Sequence, residues 1–138
     1  MKRKIFKVLP LLIALLGILA GCGGSGYKTE AKWSLASNYC FGVETPNYDG
    51  DIFKAGTYDF TTEANAHDPQ DTPIVWDIYV STNLYNYSSQ LTQDEYKATV
   101  GGYDCNSAVI DLKAGDYVYI NSADIVGNPT GILTIKRE

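Results

Sequence analysis

The only histidine, His67, is followed by Asp68 in a chain that also has serines, the components of a Ser-His-Asp relay. That chemistry requires a positioned base, an oriented partner and an oxyanion hole. His67 falls in a polar stretch and no G-x-S-x-G or comparable nucleophile turn is present, so the pair reads as solvated and no enzyme is expected. Asp49-Gly50-Asp51, with Asn47 close by, offers clustered loop oxygens of the kind hard cations take. EF-hand spacing and its distal glutamate are absent, so calcium and a plain acidic turn both stand, and no cofactor is expected. Cys40 and Cys105 form no C-x-x-C or Cys/His cluster. They read either as one disulfide or as two free thiols. A bridge would close a loop of 66 residues, and chain entropy would then contribute roughly 4 kcal/mol.

Tyrosine is abundant, with 11 copies. Tyr85, Tyr87, Tyr96 and Tyr103 fall in or beside predicted loops, and Tyr79, Tyr117 and Tyr119 on outward faces of predicted strands. Rings with hydroxyl tips suit a sugar or a protein partner. Tyr85, Tyr87 and Tyr103 are the candidate ligand-binding residues, because they sit among Asn, Ser and Gly with no strand period to bury them. The competing expectation is ordinary packing under a long loop.

A third cysteine, Cys22, defines the N-terminal organisation. Lys2, Arg3, Lys4 and Lys7 precede an uncharged apolar run from Val8 to Ala20, the layout of a secretory signal. The run is short for a membrane span, which needs about 20 residues. Leu19-Ala20-Gly21-Cys22 resembles the lipobox of bacterial lipoproteins. The resemblance implies cleavage after residue 21, lipidation of Cys22, and export to the cell membrane or outer membrane, anchored by lipid. Cleavage would leave 117 residues, enough for one domain. It removes four of the 11 basic residues and none of the 16 acidic ones, so the formal net charge moves from −5 to −9. Such a surface repels phosphate backbones and anionic lipid, which argues against nucleic acid as a partner. With no basic patch, stable membrane attachment rests on more than one acyl chain.

Residues 22–32, opening on Gly23-Gly24-Ser25-Gly26, read as a tether. From Trp33 to the end the chain reads as one all-β domain. Tyr, Val, Ile and Thr are frequent, turn residues recur at short intervals, and no long 3.6-residue period appears. Strands are expected over 33–36, 39–43, 56–62, 74–81, 108–112, 117–121 and 132–136. Gly56 to Thr62 alternates with Tyr58 and Phe60 on one face, and Ile74 to Ser81 with Ile74, Trp76, Ile78 and Val80. Thr92-Gln93-Asp94-Glu95 fits a capping box and predicts one helical turn, to about Lys97. Seven or eight short strands make an antiparallel β-sandwich, jelly-roll or immunoglobulin-like. Its expected core is Trp33, Phe41, Tyr58, Phe60, Trp76, Ile78, Val80, Ile110, Leu112, Val118, Ile120, Leu133 and Ile135.

One pattern recurs. Phe53-Lys54-Ala55-Gly56-Thr57-Tyr58 and Leu112-Lys113-Ala114-Gly115-Asp116-Tyr117 share apolar-Lys-Ala-Gly-x-Tyr, 59 residues apart. Glycine there permits a tight turn into a strand. These strand starts resemble those of small exported β-sandwich domains, the pre-peptidase C-terminal domains among them. Asp51 to Tyr58 also resembles a D-I-P-A-G-x-Y motif of small lipoproteins, with Phe53-Lys54 in place of the proline. Together these features imply a membrane-anchored lipoprotein with a non-catalytic binding or accessory module and a glycan or protein ligand. The alternative is a structural envelope protein, or an inhibitor or immunity-type protein without a small ligand.

Overall fold

The computed structural model describes residues 26–34, 36–47, 51–63, 71–122 and 128–138. Eleven strands occur there: β1 (Glu30–Trp33), β2 (Tyr39–Val43), β3 (Ile52–Phe53), β4 (Gly56–Glu63), β5 (Asp71–Pro73), β6 (Val75–Ser81), β7 (Tyr96–Gly101), β8 (Ala108–Leu112), β9 (Tyr117–Ser122), β10 (Asn128–Thr130) and β11 (Ile132–Arg137). A four-stranded sheet, in the order β1-β11-β4-β8, packs on a five-stranded one, β3-β2-β9-β6-β7.

The eight longer strands pair in a nested way. The outermost two pair (β1 with β11), then β2 with β9, β4 with β8, and innermost β6 with β7, all antiparallel. The chain is thus one long hairpin rolled into two sheets, which are completed by β11–β4 and β6–β9. That is the jelly-roll pattern. Of the two sandwich types the sequence left open, the pairing is the first. The short strands supply the parallel pairs, β2 with β3 and β5 with β10.

Period-2 alternation places the core. Tyr58 and Phe60 of β4, Trp76 and Ile78 of β6, Val118 and Ile120 of β9, and Leu133 and Ile135 of β11 all point between the sheets and are buried. Phe41, Ile110 and Leu112 are buried as expected. Val43, Phe53, Ile74 and Val100 join them. Trp33 and Val80 are only half-buried against this core. Trp33 lies on an edge strand, where its ring rests on Tyr39 with centroids 4.5 Å apart. Val80 follows an irregularity in the β6–β7 register after Ile78. From Trp33 the aromatic contacts run on through Tyr39, Phe41 and Phe53 to Tyr58.

Three expectations need correction. The β domain begins before Trp33, because β1 begins at Glu30 and Lys28 already bridges to Phe53. A strand, β7, occupies Tyr96–Gly101, a stretch in which the sequence suggested no strand and a helical turn reaching to about Lys97. The helical turn from Thr92 is a 3-10 turn confined to Gln93–Glu95. Thr92 marks its start as expected, donating to the Glu95 carboxylate from its backbone N–H at 2.7 Å and its hydroxyl at 3.0 Å.

The repeated Ala-Gly-x-Tyr turns dock on one end of β2. Gly115 N–H donates to Val43 O and Val43 N–H to Asp116 O, both at 2.8 Å. On the other side Glu44 accepts the Ala55 N–H at 2.7 Å. Gly115 has φ +97°, a conformation that a side chain strains. The motif is therefore a turn that closes one end of the sandwich, used twice.

Candidate functional site

The outer face of the five-stranded sheet is built by the same alternation that fills the core. With Phe41, Val118 and Ile120 turned inward, Cys40 of β2 and Tyr117, Tyr119 and Asn121 of β9 turn outward. Cys40 and Tyr119 are cross-strand partners, and Tyr79 lies on the far side of Tyr119. This face is not left bare. After β6 ends at Ser81, residues 82–95 turn back across it before β7 begins.

Side chains rather than backbone ladders hold that segment. Tyr119 Oη accepts the Tyr85 N–H at 2.8 Å and donates to Asn83 O at 2.8 Å. The Tyr85 and Tyr119 rings lie 6.1 Å apart at 38°. Gln90 Oε1 accepts the N–H groups of Asn86 and Tyr87 at 3.0 and 3.1 Å. Glu95 gathers the far end. Its carboxylate accepts the hydroxyls of Ser81 and of Tyr85, the latter at 3.0 Å, besides the two Thr92 bonds. A loop tied at three points is preorganised, and a ligand need not pay to order it.

Between loop and sheet lies a cleft of about 340 Å³. Cys40, Tyr119 and Asn121 form its floor, Asn38 and Tyr39 one rim, and Tyr85, Asn86, Tyr87 and Ser88 its roof. Among the described residues no Asp, Glu, Lys or Arg lines it. Burial pushes the Tyr119 phenol up to about 12, so it is neutral and a donor at physiological pH. Burial works against the ionised form of Glu95 as well. The bonds from Ser81, Thr92 and Tyr85 outweigh it and hold that carboxyl below its ordinary value.

Of the three tyrosines singled out in the sequence, two come together here. Tyr87 is 72 % exposed at the cleft and Tyr85 is half-buried beside it. Tyr103 is 80 % exposed in the turn after β7, at the other end of β6, and does not line the cleft. Tyr119, expected on an open face, is 6 % exposed because the loop covers it. Sequence pattern alone missed it, since nothing local shows which loop folds over which strand.

No disulfide joins Cys40 and Cys105 in the structure. Cys40 is on β2, whereas Cys105 follows β7 beyond the opposite edge of the sheet. At least three strand spacings intervene, about 14 Å, where a bridge tolerates about 7 Å between Cα atoms. Asp51 is committed to Lys28, at 3.0 Å, and to the Tyr39 hydroxyl. Among the described residues no group of three His, Cys, Asp or Glu side chains could hold a metal ion. No helix among them is long and apolar enough to cross a membrane. Residues 1–21, Cys22, Asp49, His67 and Asp68 lie outside the described residues.

Comparison with protein-family models, with curated proteins and with solved structures finds no significant match to the chain.

Proposed function

We propose that this chain is an exported lipoprotein, anchored through acylated Cys22, whose jelly-roll domain is a non-catalytic binding or accessory module at the cell envelope. The anchor rests on the Leu19-Ala20-Gly21-Cys22 tetrad behind a basic and then apolar leader. The binding role rests on one observation above others: a preorganised cleft of about 340 Å³, walled by tyrosines and amides and, among the described residues, free of charged side chains. Clefts of roughly 300–1,000 Å³ with a few placed polar groups are the usual form of small-ligand sites. A sheet covered merely for stability has no use for Tyr87, which stands 72 % exposed while Gln90 fixes its backbone.

The anchor has a direct test. The thioether to a diacylglycerol forms only on the Cys22 sulfur, so Cys22→Ala should leave an unlipidated species. In detergent phase partitioning the wild type is expected in the detergent phase and Cys22→Ala in the aqueous phase. Both proteins in the aqueous phase would overturn the lipoprotein reading.

A further inference from the structure

The cleft beneath residues 82–95 also constrains what it can hold. Resting on the binding-module reading, we propose that its ligand is a neutral saccharide, one or two pyranose rings seated between Tyr87 and the Tyr119–Asn121 floor.

Charge excludes most alternatives. A charged ligand loses hydration on entering a cleft and needs a counter-charge there, and the lining offers none among the described residues. The chain's net charge of −5 further disfavours anions. A purely apolar ligand fares badly too, since Asn121 and Ser88 border the space and would lose water without replacement. What remains is neutral, with both polar and apolar surface.

The tyrosines narrow this further. Tyr119 Oη already accepts from Tyr85 and donates to Asn83, and the Tyr85 hydroxyl donates to Glu95. These two hydroxyls are therefore taken, and Tyr87, 72 % exposed, presents the open ring surface. A pyranose presents a flat face of C–H groups that covers an aromatic ring, and hydroxyls around its edge that both donate and accept. Asparagine amides carry two donors and an acceptor, which matches that edge. Size agrees: about 340 Å³ is at the lower end for ligand clefts, room for a ring or two rather than a long chain. A protein partner would instead use a broad patch, about 800 Å² per side.

The test uses the detergent-solubilised, lipidated protein and amide NMR. Probes are glucose, galactose, mannose and N-acetylglucosamine with cellobiose, maltose, lactose and chitobiose, beside glucuronic acid, galacturonic acid and glucosamine. At about 10 mM, tenfold above the dissociation constant of a millimolar binder, at least one neutral sugar is expected to shift the Asn86 and Asn121 side-chain signals saturably. Its charged counterpart should bind at least tenfold more weakly. Tyr87→Ala should weaken the neutral sugar at least tenfold, as for the loss of one central aromatic contact, while Tyr103→Ala leaves it unchanged. Silence from every neutral sugar, equal binding of the charged ones, or an unaffected Tyr87→Ala would each overturn the proposal. If the sugars are silent but the protein still attaches to envelopes through Tyr87, the saccharide inference falls and the binding module stands.

Discussion

Trp76→Ala is expected to lower stability by about 3–5 kcal/mol, the usual loss for a buried tryptophan. Trp76 is the largest of the fully buried side chains, 1 % exposed, on the strand that forms the innermost hairpin with β7. Its ring packs close to the backbone at both Gly131 and Gly101: a Cβ built at Gly131 would meet it at 3.5 Å and one at Gly101 at 3.4 Å. Those contacts span the ends of β7 and β11, so the cavity left by alanine cannot collapse from one side. Domains of this size have about 5–15 kcal/mol in total, so the variant would be partly unfolded at elevated temperature. Urea melts of the two proteins check this. A loss below about 1 kcal/mol would mean that the β6 face assigned to the core is wrong.

Alkaline pH should produce a loss of similar size, centred on two tyrosines. Burial pushes both Tyr58 and Tyr119 up to about 12 from the ordinary tyrosine value of 10.0. Tyr58 Oη donates to Lys54 O at 2.6 Å, and Tyr119 Oη to Asn83 O at 2.8 Å. Ionisation removes these donors and leaves a charge in the interior. The folded values lie above the unfolded one. The neutral phenols therefore contribute their full stability below about pH 10, and that contribution is lost as pH rises through 10 towards 12. A rise from 10.0 to about 12 corresponds for each phenol to roughly 2.7 kcal/mol at full ionisation, together about 5 kcal/mol. Urea melts at intervals from pH 8 to about pH 12 should show midpoints that hold and then fall steeply. Tyr119→Phe separates the causes. It should cost about 1–3 kcal/mol at neutral pH by stranding the Tyr85 N–H and Asn83 O, yet flatten the fall above pH 10. An unchanged slope in that variant would place the alkaline loss elsewhere.

How far the sequence discloses this molecule follows from the range of the forces involved. Strands such as β4 and β6 are legible because Tyr58 and Phe60, or Trp76 and Ile78, repeat every second residue against polar neighbours. Strand β7 is not, since Tyr-Lys-Ala-Thr-Val-Gly contains only one side chain, Val100, that the core fully buries. Its place is fixed by pairing with β6. The nested order of strands is likewise set by contacts between distant segments, such as Glu30 with Lys136. The Ala-Gly-x-Tyr turns were visible, but not that both close the same end of β2.

The cleft divides along the same line. Tyr85 and Tyr87 stand out locally as aromatics among Asn and Ser. Cys40, Tyr119 and Asn121 do not, because they join the site only when β2 and β9 pair and the loop crosses them. The glutamate that fastens the loop was legible only as a capping residue for Thr92. Its bonds to Ser81 and Tyr85 depend on the loop's return. Tyr103 shows the converse: an exposed aromatic beside Gly102 resembles its fellows in sequence and lies apart from them in space.

The most direct measurement is attachment to isolated envelopes with the lipid removed from the comparison. Purified Cys22→Ala protein is mixed with envelopes from cells lacking the protein and sedimented, beside the same protein carrying Tyr87→Ala as well. The cleft predicts saturable co-sedimentation of the first and at least a tenfold weaker association of the second, with thermal midpoints within a few degrees of each other because Tyr87 is 72 % exposed. Equal sedimentation of the two proteins, or none of either, would contradict a binding module that works through this cleft.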